Sequence, residues 1–305
     1  MKKRVLILIA LSVLAKVIFA TPYQDISELG TSAGMIGLGN VGGFTDSATV
    51  LLEPPGGLSH AGNSLSAFYT QLFGDISYYT GAATLKATEK LTIGLGFTHE
   101  NDGSVDITGE SNSQAVSQSQ FTPTTTQIVG GIDYALSKDL NIGTTCTLYH
   151  RNQSKLTGIG AGLGAGLKTT GSWGELILYG KNMLGGKVTY TSSINESLIH
   201  EYGVSIKTPI IRTIVNTELL AQIRNLSELG VSLKGAGLRI YPLETPQIGI
   251  NLGYKEKYQI GTQIRSLFCG GISLKLDQLT VEYGYDTTDL YQQENQHYFS
   301  VSINY

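Results

Sequence analysis

The last eight residues, YFSVSINY at positions 298–305, decide the fold class of this chain. Phe299, Val301, Ile303 and Tyr305 stand at alternate positions, and mostly polar residues stand between them. Because successive side chains of a β-strand point to opposite faces, this alternation indicates that one face meets an apolar medium and the other a polar one. The chain is therefore predicted to end in a strand that has one apolar face.

The same two-residue period recurs through the chain from about residue 63, for example in Leu91–Thr98 and Gln247–Tyr254. It predicts fourteen strands, at 64–73, 75–87, 90–100, 124–136, 139–150, 155–168, 173–181, 200–208, 213–224, 228–241, 246–254, 267–276, 278–287 and 297–305. Segments of about ten residues with this pattern are typical of transmembrane β-barrels. Lipid cannot hydrogen-bond an open sheet edge, so a spanning sheet must close on itself. We predict an all-β fold, a transmembrane antiparallel β-barrel of fourteen strands.

The lengths of the connections support an up-and-down barrel. The long links are 101–123, 182–199, 255–266 and 288–296. All of them fall on one side, which we predict to be the outer side, whereas inner links such as Ser137-Lys138 and Asp277 are short. A soluble β-sandwich or a secreted adhesin also alternates and stays open as an alternative, although its turns need not follow this rule.

Composition excludes several other classes of protein. Charged residues make up 15% of the 305 residues, against about 25% in soluble domains, and 38 residues are glycine. A mean hydropathy of +0.02 does not fit a bundle of membrane helices, each of which needs about 20 consecutive apolar residues. The net charge of −3 offers no broad basic surface, so nucleic acid is not an expected partner.

Residues 1–20 read as an export signal. Lys2, Lys3 and Arg4 precede an apolar run, Val5–Phe19, and the small residue Ala20 follows it. This order is typical of a secretory signal peptide, with an N-terminal anchor helix as the alternative. With the barrel pattern it predicts the outer membrane of a Gram-negative-type bacterium. Phe299, Val301, Ile303 and Tyr305 are then expected to form the membrane-insertion tail recognised by the outer-membrane assembly machinery.

Residues 21–62 do not alternate, and we predict that they form an N-terminal plug, or hatch, inside the barrel of residues 63–305. Glycines permit tight bends and Pro54-Pro55 cannot join a ladder, so a compact coil is expected, with one short helix near 47–52. Asp46 and Glu53 are expected either to tether the plug to lumenal Lys or Arg or to be simply solvated. The candidate plug and gate residues are Gly34, Gly37, Gly39, Gly42, Asp46, Glu53, Pro54, Pro55 and Gly56.

The strand predicted at 155–168 carries glycine at every second position. These residues are Gly158, Gly160, Gly162, Gly164 and Gly166. Glycine within a strand marks a place where another backbone or a ligand approaches closely, which predicts a lumenal groove holding the plug or a hydrophobic substrate. The alternative is that these glycines only permit curvature of the barrel.

Motifs for catalysis occur without the context that they need. Residues 30–34 match G-x-S-x-G and residues 37–42 match G-x-G-x-x-G, yet neither a strand-to-helix elbow nor a βαβ unit is expected there. The five histidines are scattered, and no Cys/His spacing of the zinc type is present. The chain is predicted to be non-enzymatic, with no metal and no cofactor.

The run Gly34–Leu58 resembles the N-terminal plug of the FadL-type long-chain fatty acid transporter superfamily. There, a glycine-rich stretch leads to an aspartate and, seven residues on, to Asn-Pro-Ala followed by Gly-Leu. Asp46 and Pro54 match the aspartate and the proline of that pattern, whereas Glu53 and Pro55 replace its asparagine and alanine. This resemblance implies a fourteen-stranded barrel that is plugged by its own N-terminus and passes hydrophobic compounds.

Within that superfamily the chain resembles the PorV/PorQ-like branch. The matching segments are 229–233, 237–239, 253–254, 281–285 and 297–303. The resemblance implies either uptake of hydrophobic, long-chain fatty acid-like compounds or a docking scaffold of type IX secretion. The implied partners are outer-membrane lipid and either a hydrophobic ligand or a secreted protein or translocon component. An open, water-filled porin is a third interpretation.

Overall fold

The computed structural model describes residues 29–72, 76–111, 114–154, 156–211, 215–244, 247–259, 263–287 and 296–305. The strands in these ranges are β1 (Ser64–Leu72), β2 (Ile76–Lys86), β3 (Leu91–Asn101), β4 (Val105–Ser111), β5 (Gln114–Phe121), β6 (Thr124–Ser137), β7 (Leu140–Gln153), β8 (Leu156–Gly171), β9 (Gly174–Lys181), β10 (Lys187–Tyr190), β11 (Asn195–Ser197), β12 (Glu201–Ile211), β13 (Asn216–Leu226), β14 (Val231–Glu244), β15 (Gln247–Gln259), β16 (Gln263–Leu276), β17 (Leu279–Asp286) and β18 (Gln296–Asn304). The helical elements are α1 (Ala33–Gly37) and the 3-10 helices Ala48–Leu52, Leu58–His60 and Ser227–Leu229.

Fourteen of these strands form one closed antiparallel barrel. Their order around the ring is β1, β2, β3, β6, β7, β8, β9, β12, β13, β14, β15, β16, β17 and β18. The ring closes between β18 and β1, where Ser64 pairs with Asn304 and Tyr69 with Phe299. The predicted fold class and strand number are confirmed.

Each barrel strand has an apolar outer face and an inner face rich in small and polar residues. In β1, buried and exposed residues alternate over the whole strand, with Leu65 and Tyr69 exposed on the outside and Ser66 and Phe68 buried on the inside. Phe299, Val301 and Ile303 are likewise exposed on the outside of β18, and Tyr305, directly after the strand, is exposed too. This inside-out distribution is what a barrel in hydrocarbon requires.

A row of aromatic side chains crosses five neighbouring strands at one height on the outer face. The cross-strand partners, in order, are Tyr283, Phe299, Tyr69, Tyr79 and His99. Tyr283 and Phe299 have ring centroids 5.4 Å apart, and those of Tyr79 and His99 are 4.9 Å apart. Aromatic girdles of this kind lie at the boundary of the apolar band of membrane barrels.

The two ends of the barrel differ. At the turn end, short links join β2 to β3, β6 to β7, β8 to β9 and β16 to β17. At the loop end, the links after β3 and β9 are long, and they contain the hairpins β4–β5 and β10–β11. The predicted long link at 255–266 is wrong, because β15 and β16 pair from Gln247↔Lys275 as far as Gln259↔Gln263.

Several predicted segments lie partly or wholly outside the described residues, and the long link predicted at 288–296 is one of them, since 288–295 are not described. The signal peptide, 1–20, and the first part of the predicted plug, 21–28, are among the residues that the structure does not describe. No helix among the described residues is long and apolar enough to cross a bilayer. Residues 29–62, called the N-terminal segment below, precede β1.

Candidate functional site in the barrel lumen

The N-terminal segment lies inside the barrel and contacts all fourteen of its strands. Hydrogen bonds join it to β1, β2, β13, β17 and β18. Close backbone or side-chain approaches join it to β3, β6, β7, β8, β9, β14, β15 and β16. The Lys207 ammonium of β12 lies 5.6 Å from the centroid of the Phe44 ring. The segment therefore has contacts around the whole inner wall of the barrel.

Helix α1 is held against β17 and β18. Ser32 caps the helix by accepting a hydrogen bond from the Met35 amide at 3.1 Å. The Ala33 amide donates to Ser300 Oγ at 3.2 Å, and the Gly34 amide donates to Glu282 Oε2 at 3.2 Å. Two polar side chains of the wall thus bond the amides in the first turn of the helix, where no partner within the helix exists.

The glycines that follow bring the segment's backbone against the wall. Gly37 packs on the backbone of Gly270, and Gly39, at φ +75°, sits against the carbonyl oxygens of Ala236 and Tyr254. Further along, the Gly42 amide donates a hydrogen bond to Gln222 Oε1 of β13. A side chain at Gly37 or Gly39 would occupy space that the wall already fills, which explains the glycine-rich sequence.

The predicted short helix near 47–52 is present as a 3-10 helix, Ala48–Leu52. The Ala48 amide donates to Ser64 Oγ at 3.2 Å and to Ser66 Oγ at 2.9 Å, both on β1. On the other side, Leu51 fills the space above Gly94, Gly96 and Gly131 of β3 and β6. The helix is therefore wedged between polar and side-chain-free parts of the wall.

Pro55 and Gly56 lie across the glycines of β7 and β8. Pro55 Cγ is 3.0 Å from the position of a Cβ at Gly164. The Pro55 carbonyl oxygen occupies the corresponding position at Gly166, and the Gly56 amide nitrogen occupies that at Gly143. The segment thus contacts the turn-end part of the predicted groove.

The loop-end part of the glycine row has different neighbours. Gly158 and Gly160 are covered by residues of β10, including Val188 and Tyr190, and Gly162 is covered by the Asn182 side chain. The five glycines therefore all face inward and are all covered. No single partner runs along the whole row, and its role as a substrate groove stays a prediction.

Glu53 is the buried hub of the N-terminal segment, with a side chain that is 1% exposed. Its carboxylate accepts hydrogen bonds from Thr31 Oγ1 at 3.2 Å, the Gly43 amide at 2.6 Å and Thr45 Oγ1 at 2.6 Å. Burial raises the pKa of Glu53 above its ordinary value, although these bonds and the nearby Lys181 ammonium oppose that rise. Glu53 therefore ties the segment to itself, and Lys181 Nζ donates to the Leu52 carbonyl instead, at 3.3 Å.

Asp46 has a different environment from Glu53. It is exposed and, with Arg239, Lys275 and Glu282, lines a polar cavity of about 40 Å³ beside β14–β18. A second cavity, of about 20 Å³, lies between Leu51–Glu53 and strands β6–β9. One water needs roughly 10–15 Å³ of such volume, so each cavity has room for only a few waters. Neither cavity offers a path for a hydrophobic molecule in this conformation.

Residues 59 and 60 anchor the end of the segment to charged side chains of the wall. Ser59 Oγ accepts hydrogen bonds from Asn141 Nδ2 at 3.0 Å and from Lys168 Nζ at 2.9 Å. His60 Nε2 lies 2.7 Å from Glu175 Oε2, and the other carboxylate oxygen of Glu175 lies 2.8 Å from Lys207 Nζ. These inward-facing charges are therefore engaged by the segment.

A chain of polar contacts links the loop end of the barrel to the N-terminal segment. Arg224 Nη1 lies 3.7 Å from Glu201 Oε2, and the Tyr179 hydroxyl donates to Glu201 Oε1 at 2.7 Å. Gln222 Nε2 donates to that hydroxyl oxygen at 2.7 Å, and the Gly42 amide donates to Gln222 Oε1 at 3.3 Å. A change at the Arg224–Glu201 pair would thus alter the bonding of the segment's backbone.

Sequence reasoning missed several of these residues. They share one feature, a polar side chain on the inner face of a strand. Counting alternate positions from the apolar outer residues would have identified them. They are Asp133, Asn141, Lys168, Glu175, Tyr179, Glu201, Lys207 and Gln222. Within the described ranges, no group of three or more His, Cys, Asp or Glu side chains is placed to hold a metal ion.

Comparison with solved structures gives similar folds at low sequence identity. The Ralstonia pickettii toluene transporter TbuX has a TM-score of 0.61 at 9% identity, covering 90% of this chain and 98% of its own. The P. putida toluene transporter TodX has a TM-score of 0.62 at 10% identity, covering 90% and 99%. A Pseudomonas aeruginosa FadL homologue has a TM-score of 0.56 at 9% identity, covering 89% and 97%.

The sequence matches no protein-family model, and it matches no curated protein. At identities of 9–10%, the structural similarities show a shared fold. The barrel fold that the FadL-type resemblance implies is confirmed. The narrower PorV/PorQ-like resemblance stays a prediction.

Proposed function

We propose that this protein takes up hydrophobic compounds across an outer membrane and that its N-terminal segment is the plug. The observation that carries the proposal is the contact of this segment with every strand of a barrel whose fold is shared with toluene transporters. The exposed apolar band and the aromatic row support insertion in a membrane. The N-terminal signal and the C-terminal tail are consistent with export and assembly there.

The polar contacts of the segment suggest how it opens without unfolding the barrel. Most of them are single hydrogen bonds or ion pairs, each worth about 1 kcal/mol on balance. Pro54–Gly57 provides a bend between two anchored ends, one at Glu53 and one at Ser59–His60. Movement of this bend away from β7 and β8 would open the lumen beside the glycine row. Transport of this kind requires no covalent step, so we propose no enzymatic activity.

Two classes of hydrophobic substrate are proposed. Long-chain fatty acid-like molecules are one candidate, and the solved proteins of the same fold add toluene and monoaromatic hydrocarbons as probes. Radiolabelled toluene and oleate, offered to cells that express the protein and lack another route for them, test both classes. Uptake of either one above a barrel-free strain supports the proposal.

A reversible lock tests the role of the segment. Because the Ala48 amide bonds Ser66 Oγ at 2.9 Å, cysteines at these two positions should form a disulfide between segment and wall. The variant A48C/S66C, made with Cys146→Ser and Cys269→Ser, should take up substrate when reduced and lose uptake when oxidised. A wall disulfide, A67C/V301C, is the matched control and should leave uptake unchanged.

The docking scaffold remains the alternative proposal. The hairpin β4–β5 provides one place at the loop end where a protein could bind. The scaffold would be favoured if cells with the reduced variant took up neither toluene nor oleate and the protein were recovered together with secretion components. Uptake that is equal in the locked and reduced states would contradict the proposed plug.

A further inference from the structure

The outer face of strands β6, β7 and β8 contains a hollow in the apolar band, with a volume of about 470 Å³. Two cross-strand rows form its floor. One row is Gly130–Cys146–Leu163, and the other is Ile132–Thr144–Ala165. Three small side chains and one glycine among these six residues leave the hollow, which we call the outer groove.

Bulky residues bound the outer groove above and below. The next row toward the loop end contains Ile128 and Leu148, and the next row toward the turn end contains Tyr134, Ile142 and Leu167. Gly130 is the one strand glycine, among those whose surroundings are described, at which an added Cβ would meet nothing within 4 Å. The groove is thus a local gap in an otherwise filled surface.

The link after β9 forms one side of the outer groove. Asn182, at φ 54°, directs its side chain inward, where the Tyr149 hydroxyl donates to Asn182 Oδ1 at 3.0 Å. The next residue lies on the outside: the Met183 amide donates to the Leu163 carbonyl at 2.9 Å, and its thioether covers Gly180. Leu184 follows, 77% exposed. Two apolar side chains therefore overhang the groove from a link that is fixed on both faces of the wall.

We propose that the outer groove binds one acyl chain of a lipid from the surrounding membrane. The floor of the groove is itself part of the exposed apolar band, with Ile132 50% exposed and Leu163 44% exposed, so hydrocarbon is the medium that meets it. Its volume is within the range of about 300–1,000 Å³ found for small-ligand sites. A protein partner would need a far larger surface than two cross-strand rows. Because the Met183 side chain is flexible, it can pack against an acyl chain whose shape varies.

The test measures immobilised lipid. Protein in nanodiscs that contain a lipid with a nitroxide on its acyl chain should show, by electron paramagnetic resonance, a slowly exchanging component. A Cβ added at Gly130 would meet nothing within 4 Å, so Gly130→Leu should place its side chain in the groove and abolish that component. Ala83→Leu places the same leucine side chain on the outer face of β2, away from the groove, and should retain the component.

A second measurement does not depend on how Gly130→Leu folds. Cys146 lines the groove and is exposed, whereas Cys269 is buried. In Cys269→Ser protein that is already folded, attachment of a bulky maleimide to Cys146 should displace the slow lipid. An unchanged slow component after the groove has been filled by either method would overturn the proposal. Displacement of the spin-labelled lipid by toluene, but not by unlabelled lipid, would also overturn it, since the site would then belong to small hydrocarbons.

Discussion

The carbonyl oxygen of Pro55 occupies the position that a Cβ atom would take at Gly166. Pro55 belongs to the N-terminal segment and Gly166 to the inner face of β8, so glycine at this position is required for the segment to lie where it does. The neighbouring strand repeats the arrangement, with the Gly56 amide nitrogen at the Cβ position of Gly143. A proline-glycine bend is thus seated on two strands that lack side chains.

Gly166→Ala should loosen this contact. The added methyl group clashes with backbone, which cannot rotate away as a side chain can, and overpacking of this kind typically costs about 1–3 kcal/mol. We expect a lower unfolding temperature in detergent and more frequent opening in a planar bilayer. Gly130→Ala, which adds a methyl group to open space on β6, is the control and should change stability by less than about 0.5 kcal/mol. Equal behaviour of the two variants would show that Pro55 does not rest on Gly166.

Glu53 should make the closed state sensitive to pH. Because burial raises its pKa in the folded protein, the stabilising contribution of the protonated group is complete below about pH 4.5, its ordinary pKa, and is lost as pH rises through the folded pKa. Wild-type channels should therefore open more often as pH rises through this range. Glu53→Gln retains a carbonyl acceptor without the charge, and it should remove this part of the dependence.

Charged side chains of the wall also contact the segment, including Asp133 and Glu175, so wild type and Glu53→Gln are compared at each pH. The difference between the two proteins isolates Glu53. Glu53→Ala removes the acceptor for three donors and should open more often at every pH, since unpaired buried groups cost about 1–3 kcal/mol each. Superimposable pH profiles for wild type and Glu53→Gln would contradict the role given to this carboxyl group.

Tyr179→Phe should uncouple the loop end from the N-terminal segment. It removes the hydroxyl that joins Glu201 to Gln222 and leaves both of them short of one partner, at a cost of about 1–3 kcal/mol. We expect Arg224→Ala to alter the opening frequency of wild type and to have no further effect on Tyr179→Phe. Tyr202→Phe, an exposed tyrosine on β12, is the control for loss of a hydroxyl. Additive effects of Arg224→Ala and Tyr179→Phe would rule out coupling through this chain.

The closure of the barrel can be tested with a disulfide. Ala67 and Val301 are direct cross-strand partners on the outer face of β1 and β18. Antiparallel partners have Cα atoms about 4.5–5.5 Å apart, within the range of disulfides, so A67C/V301C should cross-link readily. The offset pair A67C/I303C should cross-link poorly. Efficient cross-linking of the offset pair instead would indicate a different register.

Strand number and closure could be predicted from the sequence because every barrel strand has one face in hydrocarbon. The period of two in residues 298–305 follows from this single physical constraint, and it recurs in each strand. Strand ends were harder to predict. In β15 and β16 the pairing continues to Gln259 and Gln263, beyond the apolar band, where polar residues such as Lys257 and Arg265 no longer alternate with apolar ones.

The contacts of the N-terminal segment could be predicted only in part. The glycines and the proline pair indicated a compact coil with tight bends, and Gly39 and Gly56, both at positive φ, provide such bends. The partners of these residues could not be inferred, because each is brought near by closure of the ring and not by proximity in sequence. Glu53 shows the difficulty most clearly: the sequence left a tether to lumenal Lys or Arg and a simply solvated charge as its two interpretations. The side chain is instead buried, and its three donors all lie within the segment.

Planar-bilayer conductance shows whether the N-terminal segment closes the lumen. The intact protein should show little steady current, because the segment contacts all fourteen strands of the barrel. Protein that lacks residues 21–60 and still forms the barrel should show large, steady currents. Large, steady currents through the intact protein would contradict the account.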